Sequence, residues 1–337
     1  MSMNWQKLRA DCFQLEEFHL ALLEQIDKEN WWNIWVPKKF GGSELSFSEG
    51  LKLLKKLSET DGSLGWTVTL CSGANFFVGN LNDTAAGQIF RSDSRVCLGG
   101  SGSVTGTAEK LGDNYIISGK WKYATGSCYL SHFTLNAHLV KNGDFIYDEN
   151  GEKQFRSFIL PKDQVRIVHD WKTMGLKATV TNSFEVDAVK LHRNFSFKYD
   201  EVKQSGNLYQ IPFSIFADLT LWVNYIGMAC HFCEEAERFS ENPGIQVLKV
   251  KSAEQFAQLL SIAEEVTAGL DSGKPLTAEI SPIHETAASA VRELSGELIA
   301  IFPKLGIRAA SYDQPINQIF RDYFTATQHH IFSKLNS

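Results

Sequence analysis

Cysteine is scarce in this chain. Six residues in 337, at Cys12, Cys71, Cys97, Cys128, Cys230 and Cys233, are too few and too scattered for a disulfide framework. They read as reduced thiols of a cytoplasmic protein. Cys230 and Cys233 form a CxxC without a second pair, and they read as small residues on a buried helix face. Eight prolines and 25 glycines exclude a fibrous or low-complexity chain. A surplus of basic residues is missing as well: the net charge is −6, which excludes a dedicated nucleic-acid binder. No apolar run reaches the ~18–20 residues of a membrane span. The start, with Lys7, Arg9 and Asp11, lacks the apolar centre of a secretory signal. Walker loops, dinucleotide fingerprints, zinc-ligand spacings and Gly-x-Ser-x-Gly elbows are also absent.

What is present is a hydrophobic fraction of 43%, enough for a large core, in a pattern that changes twice. Residues 3–29 carry Leu8, Cys12, Leu15, Leu22 and Ile26 at helical spacing. Ser46-Phe47-Ser48-Glu49 forms a capping box ahead of Leu51, Leu54 and Leu57. A third helix is expected from Ser63 and a fourth after Asn82-Asp83. From Val96 to about Phe197 the pattern is short β runs: 115–117, 133–140, 155–160, 165–168 and 184–189. Turn signals at Gly112-Asp113-Asn114, Asn142-Gly143 and Asn150-Gly151 separate them. Helical periodicity returns over 213–240, 251–271, 281–302 and 315–335. The fold class expected is α+β: an all-α domain (1–94), a central β-barrel or sandwich domain (95–200) and a C-terminal four-helix bundle (201–337).

Four segments in this order carry a resemblance. Val36-Pro37-Lys38-Lys39-Phe40-Gly41-Gly42 is followed by Asp61-Gly62-Ser63-Leu64-Gly65-Trp66. Gly106-Thr107-Ala108 leads to Gly119-Lys120-Trp121-Lys122-Tyr123-Ala124-Thr125-Gly126-Ser127. Trp171 precedes Gly175-Leu176-Lys177-Ala178-Thr179-Val180-Thr181. Arg321-Asp322 precedes His329-His330. Together they resemble the acyl-CoA dehydrogenase superfamily, which includes reduced-flavin-dependent monooxygenases built on the same fold.

The resemblance implies a flavin-dependent oxidoreductase, acyl-CoA dehydrogenase-like, working at flavin N5/C4a on a substrate between the β domain and the bundle. It leaves two alternatives: a reduced-flavin-dependent monooxygenase, and a non-catalytic homologue acting as a binding or assembly subunit. The cofactor implied is FAD, alternatively FMN or free reduced flavin. Tyr123 falls where the family has an aromatic against the flavin, and Thr125 where a hydroxyl contacts N5. Ser103, Thr105, Ser127, Thr179 and Thr181 complete the implied cofactor set. The region Ser101 to Thr107 departs from the dehydrogenase pattern and is closer to the monooxygenase form. Counted from Arg321, the dehydrogenase glutamate would fall at 330, where this chain has His330. His329 lies near the monooxygenase histidine, and both histidines are catalytic candidates. Arg321-Asp322 reads as a surface or interface ion pair. Asp218 is the nearest carboxylate to an alternative dehydrogenase base position on the first bundle helix. The helix through Arg238-Phe239-Ser240 lacks the Arg-x-x-Phe-Gly run that helps hold the FAD pyrophosphate. Expected partners are a small molecule (an acyl-CoA or an aromatic compound), a second copy or a tetramer, and a flavin reductase. Nucleic acid, membrane and metal are not expected.

Overall fold

The computed structural model describes residues 3–90 and 95–333. Helices come first: α1 (Trp5–Cys12), α2 (Leu20–Lys28), α3 (Phe47–Thr60), α4 (Gly62–Asn75) and α5 (Asp83–Ile89). The stripe over 3–29 is two helices, broken where Gln14 takes a left-handed φ of 60°. Ser46 and Glu49 close the reciprocal capping box of α3. Asp61 ends α3 and caps α4, its Oδ1 accepting from the Leu64 N–H at 2.9 Å.

The middle of the chain is β1 (Leu98–Leu111), β2 (Asn114–Ala124), β3 (His132–Lys141), β4 (Asp144–Phe145), β5 (Phe155–Pro161), β6 (Arg166–Val168), β7 (Asn182–His192) and β8 (Ser196–Phe197). They form one sheet in the order β6-β7-β2-β1-β3-β5-β8, with β4 on β3. The expected closed barrel or sandwich is corrected here. The sheet is open, and its edges are the three-residue β6 and the two-residue β8, which do not pair with each other. Strands this short blunt an edge without closing it. The β1·β3 pair is parallel and bulged. At Gly100 a Cβ would sit 1.8 Å from the Thr134 carbonyl oxygen, so only glycine lets these strands meet there.

The C-terminal part is α6 (Phe213–Ala236), α7 (Pro243–Asp271), α8 (Ile280–Ile301), α9 (Pro315–Ala326) and the short α10 (His330–Ser333). The last two residues of the expected 315–335 helix lie outside the described residues. Helix α6 is the axis of the molecule. Its 24 residues have the length and apolarity of a membrane span, contrary to the sequence expectation, yet 78% of its most apolar window is buried within the protein. Tyr225 donates to the Ala326 carbonyl of α9 at 2.7 Å, and Trp222 donates to Gln255 of α7 at 3.2 Å. The Phe216 ring meets Phe76 at 4.1 Å and Trp35 at 5.3 Å, joining α6 to the N-terminal helices. Gly227 lets α6 approach α3, because a Cβ there would be 2.6 Å from the Lys55 carbonyl oxygen. Cys233 is buried on α6 with its Sγ against the Ile245 carbonyl, and Cys230 is half-buried.

Candidate active site

Residues 123–127 leave the end of β2 on a strained path. Tyr123 has a left-handed φ of 65° and a side chain 68% exposed, unusual for a tyrosine at a strand end. Gly126 (φ 75°) turns the chain over α4, where an added Cβ would lie 2.9 Å from the Cys71 sulfur. The Cys71 Sγ also approaches the Thr125 carbonyl at 3.8 Å. Segment 171–181 faces this turn. Within it Leu176 (φ 51°) and the β-branched Val180 (φ 39°) are both left-handed. Strain of ~1–3 kcal/mol per residue persists only where the surroundings enforce it.

The enforcing contacts run from several elements. Gly126 N–H donates to the Thr179 carbonyl at 2.8 Å. The Ser127 hydroxyl donates to the Val180 carbonyl at 2.6 Å, and the Asn182 amide donates to the Ser127 oxygen at 3.0 Å. Trp171 Nε1 donates to the Leu176 carbonyl at 2.9 Å, and the Tyr129 hydroxyl donates to the Ala178 carbonyl at 2.8 Å. Helix α9 holds the loop from the other side. Asp322 accepts from the Leu176 N–H at 2.5 Å, and Arg321 donates to the Met174 carbonyl. Gly175 touches α9 directly: a Cβ there would be 2.2 Å from the Arg321 carbonyl oxygen. Gly175→Ala is therefore expected to cost ~2–3 kcal/mol by forcing α9 off the loop. Chemical denaturation measures this, and a loss under ~0.5 kcal/mol would contradict the packing described.

The role of Asp322 is not legible from its place beside Arg321 in the sequence. Asp322 does not form a surface pair with Arg321. It is buried against Gly62, while Arg321 turns to Asn317 (2.8 Å) and lies over the Tyr312 ring (4.8 Å). Gln318 Nε2 lies between Asp61 Oδ2 (3.0 Å) and Asp322 Oδ2 (3.5 Å). Burial pushes the Asp61 carboxyl up to about 6. Burial, reinforced by the Asp61 charge, pushes Asp322 up to about 7. Adjacency in sequence had no bearing on burial, so no sequence signal marked this pair.

Four of the sequence-nominated hydroxyls converge. The Thr179 hydroxyl donates to the Leu176 carbonyl at 2.7 Å, its oxygen lies 2.7 Å from Thr181 Oγ1, and Thr181 Oγ1 lies 3.1 Å from Thr125 Oγ1. Each hydroxyl has one proton. A carbonyl can only accept, so the Thr179 proton is committed to Leu176. Thr181 must then donate to Thr179, and Thr125 must donate to Thr181. The relay leaves the Thr125 oxygen as a pure acceptor toward anything placed before it. Ser127 stands beside the relay through Val180. Ser103 and Thr105 do not join it. Both are exposed on β1, where Thr105 bonds the Lys120 carbonyl at 2.7 Å and the Ser103 N–H meets Ser101 Oγ at 3.4 Å.

The C-terminal histidines are reached through α4. That helix carries Cys71 under Thr125 and Trp66 against the His329 ring, 5.7 Å between centroids. Burial, with His330 adding to it, pushes the His329 imidazole down to about 4, so it is neutral at neutral pH. Its Nδ1 is buried with no hydrogen-bond partner among the described residues. His330 is exposed, its ring 4.6 Å from that of His329. Asp218 bonds His284 of α8, not His329. A cleft of about 830 Å³ on the sheet, lined by Lys120, Arg166 and Glu185 among others, contains none of the nominated residues.

No protein-family model matches the chain. It is 25% identical to the indole-3-acetate monooxygenase of Acinetobacter baumannii over 65% of this chain and 55% of that protein. It is 20% identical to HsaA, the oxygenase subunit of a flavin-dependent monooxygenase of Mycobacterium tuberculosis, over 91% of this chain and 83% of the relative. The crystal structure of HsaA superposes with a TM-score of 0.87 at 18% identity, covering 97% and 92% of the two chains. XiaF from a Streptomyces species, solved with FADH2 and glycerol, superposes with a TM-score of 0.86 at 16% identity, covering 96% and 88%. The match thus spans just over half of the first relative and most of HsaA. Both of these curated relatives are named as monooxygenases and neither as an acyl-CoA dehydrogenase, the first activity the resemblance implied.

Proposed function

We propose that this chain, a member of the acyl-CoA dehydrogenase-like superfamily of flavoproteins, is the oxygenase component of a reduced-flavin-dependent monooxygenase acting on a small aromatic compound. The monooxygenase relatives support the class. The observation that carries the reading in this structure is the threonine relay ending on Thr125. N5 of a reduced flavin bears a hydrogen, whereas N5 of an oxidised flavin bears a lone pair. A hydroxyl fixed as an acceptor suits the first and opposes the second.

The residues present fit a flavin at this end of the sheet. Exposed Tyr123 is free to flank a ring, and Gly126 keeps the turn tight over α4. The unpartnered Nδ1 of His329 would be satisfied by a ligand. Thr125, Ser127, Thr179 and Thr181 would hold the polar edge, with Ser103 and Thr105 of β1 further out. Reduced flavin, when bound, supplies the two electrons that let dioxygen give one oxygen atom to the substrate and the other to water. Asp322 and Arg321 hold the 171–181 loop in register. His329, kept neutral by burial, would hydrogen-bond a ligand without adding charge, and His330 is exposed beside it. Arg238 is paired with Glu235 at 2.8 Å, so it is not set aside for a pyrophosphate. FMN and FAD are accordingly both within the reading.

The proposal carries with it three domains at 1–94, 95–200 and 201–337, a four-helix bundle in the last, a dimer or tetramer, a cytoplasmic setting and a separate flavin reductase. The test has two arms. Anaerobic octanoyl-CoA should leave the colour of bound oxidised FAD unchanged. Chemically reduced FMN or FAD with ¹⁸O₂ and a panel including resorcinol and indole should give product with one labelled oxygen. Bleaching by the acyl-CoA would return the protein to the dehydrogenases.

A further inference from the structure

The chain between α1 and α2, residues 13–19, is not helical, and it reaches three parts of the candidate site. Gln14, with its left-handed φ, donates its N–H to Gln318 Oε1 at 2.8 Å and its side-chain amide to the Tyr312 carbonyl at 2.7 Å. The same Gln318 lies between Asp61 and Asp322. Glu16 pairs with Lys177 of the 171–181 loop at 2.7 Å. Phe18 N–H donates to the Tyr129 hydroxyl at 2.6 Å, and the two rings stack at 5.0 Å.

These fastenings are unequal. Glu16 and Gln14 are exposed, and an exposed ion pair contributes little. The Phe18–Tyr129 junction is buried, with 4% and 2% of the two residues exposed. Its hydroxyl accepts from the Phe18 N–H and donates to the Ala178 carbonyl at 2.8 Å. Burial keeps the phenol protonated, so it can donate. Without it, two backbone groups would lose a partner. Ala178 directly precedes Thr179, the first hydroxyl of the relay. Tyr129 itself follows the turn that carries Thr125, its N–H donating to the Gly126 carbonyl at 2.6 Å. One phenol thus joins segment 13–19, that turn, and the loop that carries Thr179 and Thr181.

We propose that Tyr129 is a positioning residue for the flavin. Through it, segment 13–19 straps the 176–181 loop into the shape that sets the threonine relay. Strap and bound flavin then stabilise each other, because such coupling is reciprocal. This rests on the oxygenase reading for what the relay faces; the fastening of the loop does not.

The test is amide hydrogen exchange on the full chain, wild type against Tyr129→Phe, which keeps the ring stack and removes the hydroxyl. Without flavin, peptides covering 13–19 and 174–181 should exchange about 5- to 30-fold faster in the variant, as one or two lost hydrogen bonds ease local opening. Peptides of α7 and α8 should not change. Equal acceleration there would reveal general destabilisation and overturn the proposal, as would unchanged exchange at 174–181. Glu16→Gln should have a smaller effect than Tyr129→Phe. An equal or larger one would move the fastening to the exposed pair and overturn the role of Tyr129. With chemically reduced FMN, both segments of wild-type protein should exchange more slowly, and Tyr129→Phe should bind the flavin about tenfold more weakly. Protection of 174–181 without 13–19 would overturn the coupling. If wild-type protein binds no reduced FMN, the oxygenase reading fails, and the flavin-free comparison still decides the strap.

Discussion

Thr181→Val will erase the preference for reduced over oxidised flavin. In the wild type the Thr125 proton is held by Thr181, which is held by Thr179, which is held by the Leu176 carbonyl. Valine removes the middle acceptor while nearly keeping the shape. The Thr125 hydroxyl then rotates freely and can donate to the N5 lone pair of oxidised flavin. Oxidised flavin gains a hydrogen bond, and reduced flavin loses the pre-set acceptor. Each change is worth ~1 kcal/mol, so the ratio of the two dissociation constants should shift by ~10- to 30-fold. Thr125→Val should instead weaken reduced flavin alone, because oxidised flavin never had a donor there. Anaerobic fluorescence titration of both redox forms against both variants measures this. An unchanged ratio in Thr181→Val would show that the relay does not set the polarity at Thr125.

Asp322→Asn will flatten the dependence of stability on pH near neutrality. The Asp61 and Asp322 carboxyls have folded-state values pushed up to about 6 and about 7, above their ordinary 3.8. A raised acid contributes its stability below its unfolded value and loses it as pH rises through the folded value. Wild-type protein should therefore melt at a lower temperature at about pH 8 than at about pH 5.5, by several degrees. Asparagine keeps an acceptor for the Leu176 N–H and carries no charge to expel. Its melting curve should be less steep in pH and, at about pH 8, equal to or above the wild type. Arg9 and Arg321 also act on the pair, so the comparison is between the two proteins across pH rather than at one pH. Asp322→Ala removes the acceptor as well and should cost ~1–3 kcal/mol at any pH. Equal pH slopes in wild type and Asp322→Asn would place the charge elsewhere.

Local signals in the sequence were legible because their physics is local. The Ser46–Glu49 box and the Asn142-Gly143 turn each act within four residues, and each stands where the pattern put it. The strands over 115–117, 133–140 and 184–189 were visible from their alternation. Strand β1 was not, because glycines at 99, 100, 102 and 106 weaken every strand signal. At Gly100 the reason is the close parallel approach of β3, and at Gly106 it is the Trp121 ring of β2, both tertiary facts. The barrel expectation failed on closure, which depends on whether β6 and β8 meet. Within the site, Thr125, Ser127, Thr179 and Thr181 could be nominated through motif resemblance. Asp322 could not, since its burial is set by Gly62, Gln318 and Leu176, which are far apart in the chain. The Asp218–His284 pair spans 66 positions and leaves no periodic trace.

The central claim is that this protein receives flavin already reduced. Anaerobic titration of the purified chain with FMN and FAD, each oxidised and then chemically reduced, tests it most directly. The reduced form should bind at least about tenfold more tightly, as expected for one hydrogen bond gained and one lone-pair repulsion avoided. Equal or tighter binding of the oxidised form, or binding of neither, would contradict the account.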